Sequence, residues 1–172
     1  MTKKMLPALL LLSALCCGMV EARPVTNDLG IVQQNDATMK WFEDAKFGMF
    51  IHWGLYAVPA KGEWFMEKTG MPPEQYRKYA YDQGDGVYFD AKDYDPAKWA
   101  QIAKDSGMKY MCLTARHHDG FALFDSHFPN AFTSVQTLHR DLYAEYVKAC
   151  RAAGLRVGLY FSPIDWRYPG YY

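Results

Sequence analysis

The chain has 172 residues, 50% of them hydrophobic and 16% aromatic, with 19 basic and 19 acidic side chains and so no formal net charge. That size suits one domain with a sizeable core and hardly two. The even charge argues against a nucleic-acid binder, which needs a basic face, and the aromatic load argues against disorder.

Residues 1–22 read as a secretory signal peptide. Lys3 and Lys4 form a positive start, Met5 to Val20 is an apolar run short of the ~20 residues of a membrane span, and Val20-Glu21-Ala22 offers small residues for cleavage after Ala22. A lipoprotein signal at Cys16 or Cys17 ranks second, because Leu15 is a poor residue before a lipidated Cys. The mature chain is expected to be secreted or periplasmic, with no later membrane span. Cys112 and Cys150 then remain, and two small buried hydrophobes are favoured over a disulfide.

Residues 23–38 are polar and read as a leader or linker. Phe47 to Ile51 is a short apolar run expected to be a buried strand. An irregular stretch follows, with a short helix expected over Glu74 to Tyr81. Asp95-Pro96 supplies an N-cap and a helix start, Trp99, Ile102 and Ala103 share a face, and Gly107 closes that helix. Tyr110 to Leu113 is a second strand. Asp141 caps a second helix whose apolar face is Leu142, Tyr146, Ala149, Cys150 and Ala153, ending at Gly154. Val157 to Phe161 is a third strand. Strand, helix, strand, helix, strand predicts an α/β fold with parallel strands covered by helices.

Unusual chemistry follows each strand: His52-Trp53-Gly54 and Glu63-Trp64 after the first, Arg116-His117-His118-Asp119 after the second, Ser162, Asp165 and Trp166 after the third. In parallel α/β folds the loops at the carboxyl ends of strands build the site, so three loops should converge on one mouth. A single histidine at a strand end is usually a core residue; three at equivalent ends point to a site. His117 and His118 are adjacent, and alternation lets at most one face a ligand directly. The histidines lack the spacing of a zinc site, and no metal or other cofactor is expected. The aspartates from Asp82 to Asp95 lack calcium-loop spacing and read as a solvated loop. No Walker pattern or GxSxG elbow is present.

Trp41 through Gly54, Glu63-Trp64-Phe65, Lys109 through Phe121, Arg140-Asp141-Leu142 and Gly158 through Ser162 together resemble the ordered motifs of α-L-fucosidases of glycoside hydrolase family 29. The resemblance runs from about Trp41 to Tyr172. It implies the first three βα units of a (β/α)8 TIM-like barrel over residues 39–172. It also implies retaining release of α-L-fucose from fucosylated oligosaccharides or glycoconjugates, and a fucose pocket lined by His52, Glu63, Trp64, His117, His118 and Tyr160. Trp64 would shield the apolar side of the sugar.

Retaining hydrolysis needs two carboxyl groups ~5–5.5 Å apart. By the resemblance, the nucleophile Asp and the acid/base Glu lie beyond Tyr172, so no catalytic residue is expected within these 172. Glu63, Asp119 and Asp165 are the carboxylates near the mouth. The expectation is an N-terminal portion of the enzyme that is inactive alone and marginally stable, because open strand edges lack neighbours. The alternatives are an inactive remnant or fucose-binding protein and, less favoured, another exo-glycosidase on the same barrel.

Overall fold

Caps at both ends set the two long helices that cover the central sheet. The computed structural model describes residues 25–26, 32–33 and 36–171, with side chains from Met39 onward. The leader expected over residues 1–22, with Cys16 and Cys17, lies outside the described residues. The chain divides into two units, residues 1–40 and 41–172. In the first, β1 (Val25–Thr26) pairs antiparallel with β2 (Val32–Gln33). α1 (Asp36–Ala45) begins within the stretch 23–38, where the sequence suggested no helix.

In the second unit the order is β3 (Gly48–Ile51), α2 (Phe65–Lys68), α3 (Pro73–Arg77), α4 (Pro96–Asp105), β4 (Tyr110–Arg116), β5 (Phe121–Ala122), β6 (Phe132–Thr133), α5 (Ser134–Leu138), α6 (Leu142–Ala153) and β7 (Arg156–Phe161). The helix expected over Glu74 to Tyr81 is α3 followed by a 3-10 turn, Lys78–Ala80. The Asp95 carboxylate accepts from the Lys98 N–H at 2.9 Å and Pro96 opens α4. The Asp141 carboxylate accepts from the Ala144 N–H at 2.7 Å, and Gly154 ends α6 at φ +76, a conformation that costs a side chain with a Cβ.

β4 lies between β3 and β7, parallel to both, with Met111 opposite Met49 and Val157. Met111 and Leu113 are fully buried under α4 and α6, which pack against each other. The Cys150 thiol lies 3.9 Å from the Met111 sulfur; Cys112 and Cys150 are both free thiols. The buried edge of α4 runs through Ala100 and Ala103, and Ile102, expected on that face, is 48% exposed. The small residues on that edge let α4 approach α6, and Ile102 is left facing solvent.

The sheet departs from the expected all-parallel pattern at one place. After Gly120 the chain doubles back, so β5 pairs antiparallel with β4, Ala122 opposite Arg116, and β6 runs parallel to β5. Two residues suffice for β5 because Phe121 and Ala122 are both buried. The fold is therefore mixed α/β with a parallel-rich sheet. Among the described residues no helix is long and apolar enough to cross a membrane.

Candidate functional site

β3, β4 and β7 end side by side, and the residues that follow meet there. The Thr114 hydroxyl, on β4, receives the Trp53 N–H at 3.0 Å and donates to the Trp53 carbonyl at 2.7 Å. This clamp fixes the backbone next to His52. It also turns the Trp53 indole away: the ring stacks on Tyr94 at 4.7 Å and belongs to the packed interior, not to the mouth.

A bulge in β4 directs the next residues. Thr114 pairs with Tyr160, but Arg116, not Ala115, pairs with Phe161. One extra residue on one strand breaks the alternation of faces. Arg116 thus joins Phe161, its guanidinium 5.6 Å from the ring centre, while His117 comes round beside Tyr160. The ring of His52 lies 5.5 Å from His117 and 5.5 Å from Tyr160, and His117 stacks on Tyr160 at 5.8 Å. The three loops converge as expected.

His118 sits 4.3 Å from His117, so the two rings are neighbours. Strand alternation does not apply to them, because β4 has already ended at Arg116. Trp64 lies 5.2 Å from His118 and 5.3 Å from Trp166, giving the mouth an aromatic wall. Glu63, next to Trp64, acts on Tyr56, His117 and His118 through its charge. The six residues named from the sequence are thus brought to one neighbourhood. Sequence reasoning missed Tyr56, whose hydroxyl bonds Thr114 at 3.1 Å and whose ring lies 5.4 Å from His117. Its stretch has no periodicity that would have pointed to it.

Burial, with His118 and His52 close by, lowers the His117 pKa to about 4, and Glu63 opposes this. His117 is neutral at pH 7, and its Nδ1 is buried with no hydrogen-bond partner among the described residues. A buried unsatisfied ring nitrogen is costly and calls for a partner from outside. The His118 pKa is lowered as well, by burial and then by Arg116.

The other two carboxylates do different work. Burial pushes Asp119 up to about 6; it accepts from the Tyr76 hydroxyl at 2.8 Å and from the Phe121 N–H at 3.1 Å. Burial works to raise Asp165, but hydrogen bonds from Arg167 and the charges of Arg167 and Arg116 prevail and hold it below the usual range. Asp119 therefore shapes the turn after His118, and Asp165 clamps two arginines. Among the described residues no group of three or more His, Cys, Asp or Glu could hold a metal ion. Asp82, Asp85 and Asp90 accept from backbone N–H groups of their own loop.

Residues 19–172 match the family model described as Alpha-L-fucosidase. The chain belongs to the alpha-L-fucosidase family. It is 38% identical over 144 residues to the human tissue alpha-L-fucosidase, covering 76% of this chain and 30% of that protein. It is similar to the structure of alpha-L-fucosidase isoenzyme 1 from Paenibacillus thiaminolyticus (47% identity, TM-score 0.70, 78% of this chain and 30% of that one). It is also similar to a family 29 alpha-L-fucosidase of Bacteroides thetaiotaomicron, trapped as a covalent intermediate with 2-fluoro-fucosyl fluoride (36% identity, TM-score 0.69, 81% of this chain and 33% of that one). The chain thus spans about a third of the length of the relatives it matches.

Proposed function

We propose that the chain is the N-terminal part of a secreted, retaining α-L-fucosidase, and that His52, Glu63, Trp64, His117, His118 and Tyr160 line its fucose pocket. The single observation that carries this is the unpartnered, buried Nδ1 of His117 in a neutral ring, set among His52, Tyr56 and Tyr160. A sugar hydroxyl can donate to or accept from that nitrogen, and the aromatic wall of Trp64 and Trp166 suits the apolar face of a deoxy sugar. The covalent intermediate of the Bacteroides relative supports the retaining course, since only retaining enzymes form one on the protein. The order β3-β4-β7, with each parallel strand beside the next in the chain, supports the reading of the first three βα units of a (β/α)8 barrel.

Hydrolysis needs a second carboxylate opposite the first. Asp119 and Asp165 are engaged elsewhere, leaving Glu63 alone at the mouth, so the nucleophile and the acid/base come from polypeptide outside the described residues. The 172-residue chain then binds fucose without hydrolysing it. Residues 1–22 act as the export signal, cleaved after Ala22, in preference to a lipid anchor at Cys16 or Cys17; mass analysis of the exported chain reads the new N-terminus. The binding test is NMR titration with L-fucose and, as control, D-galactose. His117→Ala should weaken fucose binding about tenfold or more, the loss of one hydrogen bond with its burial cost. Equal affinity for both sugars sinks the fucose reading. Hydrolysis of an aryl α-L-fucoside by the chain, abolished in Glu63→Ala, sinks the claim that the chemistry lies elsewhere.

A further inference from the structure

A neutral imidazole has one N–H, and its partner on the other nitrogen decides what it offers a ligand. For His118 that partner is the Ser162 hydroxyl, in close contact with Nδ1. Ser162 is itself buried, at 2% exposure. Nε2 carries no hydrogen bond among the described residues.

Two arrangements are open. Ser162 donates to Nδ1 and the proton of His118 sits on Nε2; or Nδ1–H donates to Ser162 and the hydroxyl must place its own proton on something else. The only other acceptor in reach among the described residues is the Ile164 carbonyl at 3.4 Å, long for an O–H···O bond. That carbonyl already accepts from the Arg116 guanidinium at 3.2 Å, which also holds the Ser162 carbonyl at 2.6 Å and pairs with Asp165. Meanwhile the Ile164 N–H donates to the Ser162 oxygen at 3.1 Å, so the hydroxyl has one acceptor role filled. Its proton goes to the short contact.

We propose that Ser162 is a positioning residue that holds His118 with its proton on Nε2, so that His118 presents a hydrogen-bond donor at the mouth beside the unpartnered Nδ1 of His117. A fixed donor next to an unpartnered ring nitrogen would engage neighbouring polar groups on one ligand, such as vicinal hydroxyls of a sugar. This rests on the fucose reading for the ligand, but not for the tautomer. Arg116, itself paired with Asp165, shares the Ile164 carbonyl, and the 3.4 Å approach of that carbonyl makes it the weaker destination for the serine proton.

The test is ¹⁵N NMR of the histidine rings in the 172-residue chain at neutral pH, where donor and acceptor nitrogens resonate far apart. His118→Gln identifies the His118 signals. The expected result is a protonated Nε2 and a bare Nδ1 in the wild type. In Ser162→Ala the two tautomers mix, and L-fucose binds about five- to tenfold more weakly. A wild-type His118 with its proton on Nδ1 overturns the proposal, even if Ser162→Ala does not fold. So does an unchanged tautomer in a folded Ser162→Ala. A fixed Nε2–H without any fucose binding sinks the sugar reading and leaves the role of Ser162 standing.

Discussion

The two faces of β4 obey different rules. One carries Met111 and Leu113, fully buried against α6 and α4. The other carries Cys112 and Thr114 and leads into His117, with Phe50 beside it on β3 at 55% exposure. The first face is apolar and closed, so its contribution is packing and its demands are volume and shape. The second is mixed, with the buried, hydrogen-bonded Thr114 beside Cys112 and the exposed Phe50. The contrast teaches that stability and recognition are carried by alternate residues of one strand, so each can be damaged separately.

The largest blow falls on the closed face. Leu113→Ala should cost about 2–5 kcal/mol in denaturant unfolding, since the residue has no exposure and its neighbours are pinned by two helices. A loss below about 1 kcal/mol would mean that the face is loosely packed and the contrast is wrong.

The open face answers to pH. Asp119, with a folded pKa of about 6 against an ordinary 3.8, keeps a proton in the fold that the unfolded chain has lost, so its contribution falls as pH rises from about 4 to 6. His117, about 4 against 6.5, behaves in the opposite sense: the unfolded chain takes up the proton first, and stability falls as pH drops through the same range. Each is worth about 3 kcal/mol, so the two contributions oppose each other between pH 4 and 6. Asp119→Asn, which mimics the protonated acid, should lose stability toward pH 4. His117→Gln should lose it toward pH 6. Melting curves across that range check both, and parallel profiles in the two variants would refute the opposition.

Next comes the turn that joins the faces. Gly120 has φ +78, and a Cβ there would fall 2.1 Å from the Arg167 Nε. Gly120→Ala should cost about 1–3 kcal/mol through backbone strain and displacement of Arg167. The ion pair of Arg167 with Asp165 should loosen with it, and a fall in fucose affinity would show that this clamp supports the mouth.

The closed face was largely legible in the sequence. Asp95-Pro96, Asp141 and Gly154 marked the helix ends because capping is local chemistry, and the apolar runs marked the strands. The meeting of His52, His117 and Tyr160 was legible from topology alone. What was not legible depends on distant partners. The bulge at Ala115 exists because of pairing with β7, and with the end of β4 at Arg116 it takes His117 and His118 out of the strand alternation. Ile102 is exposed against expectation because spacing gives a period but not the direction of the cover. The capping box of α5, Thr133 with Gln136, is local chemistry of the same kind.

Arg140-Asp141-Leu142 gives the smallest test. The triplet matched a family motif, yet each residue is spent on the closed side. Asp141 caps α6 and Leu142 is fully buried. The Arg140 fork bonds both oxygens of Glu145, at 2.9 and 2.6 Å, and the Ala91 carbonyl at 3.1 Å. Arg140 and Glu145 are each 37% exposed, so solvent screens the pair and Glu145→Gln should cost about 0.5–1 kcal/mol, shrinking in high salt. Fucose affinity should not move, because nothing in this cluster reaches the histidines. A salt-independent loss, or any change in sugar binding, would place the motif on the open side of the comparison and break the division between the two faces of β4.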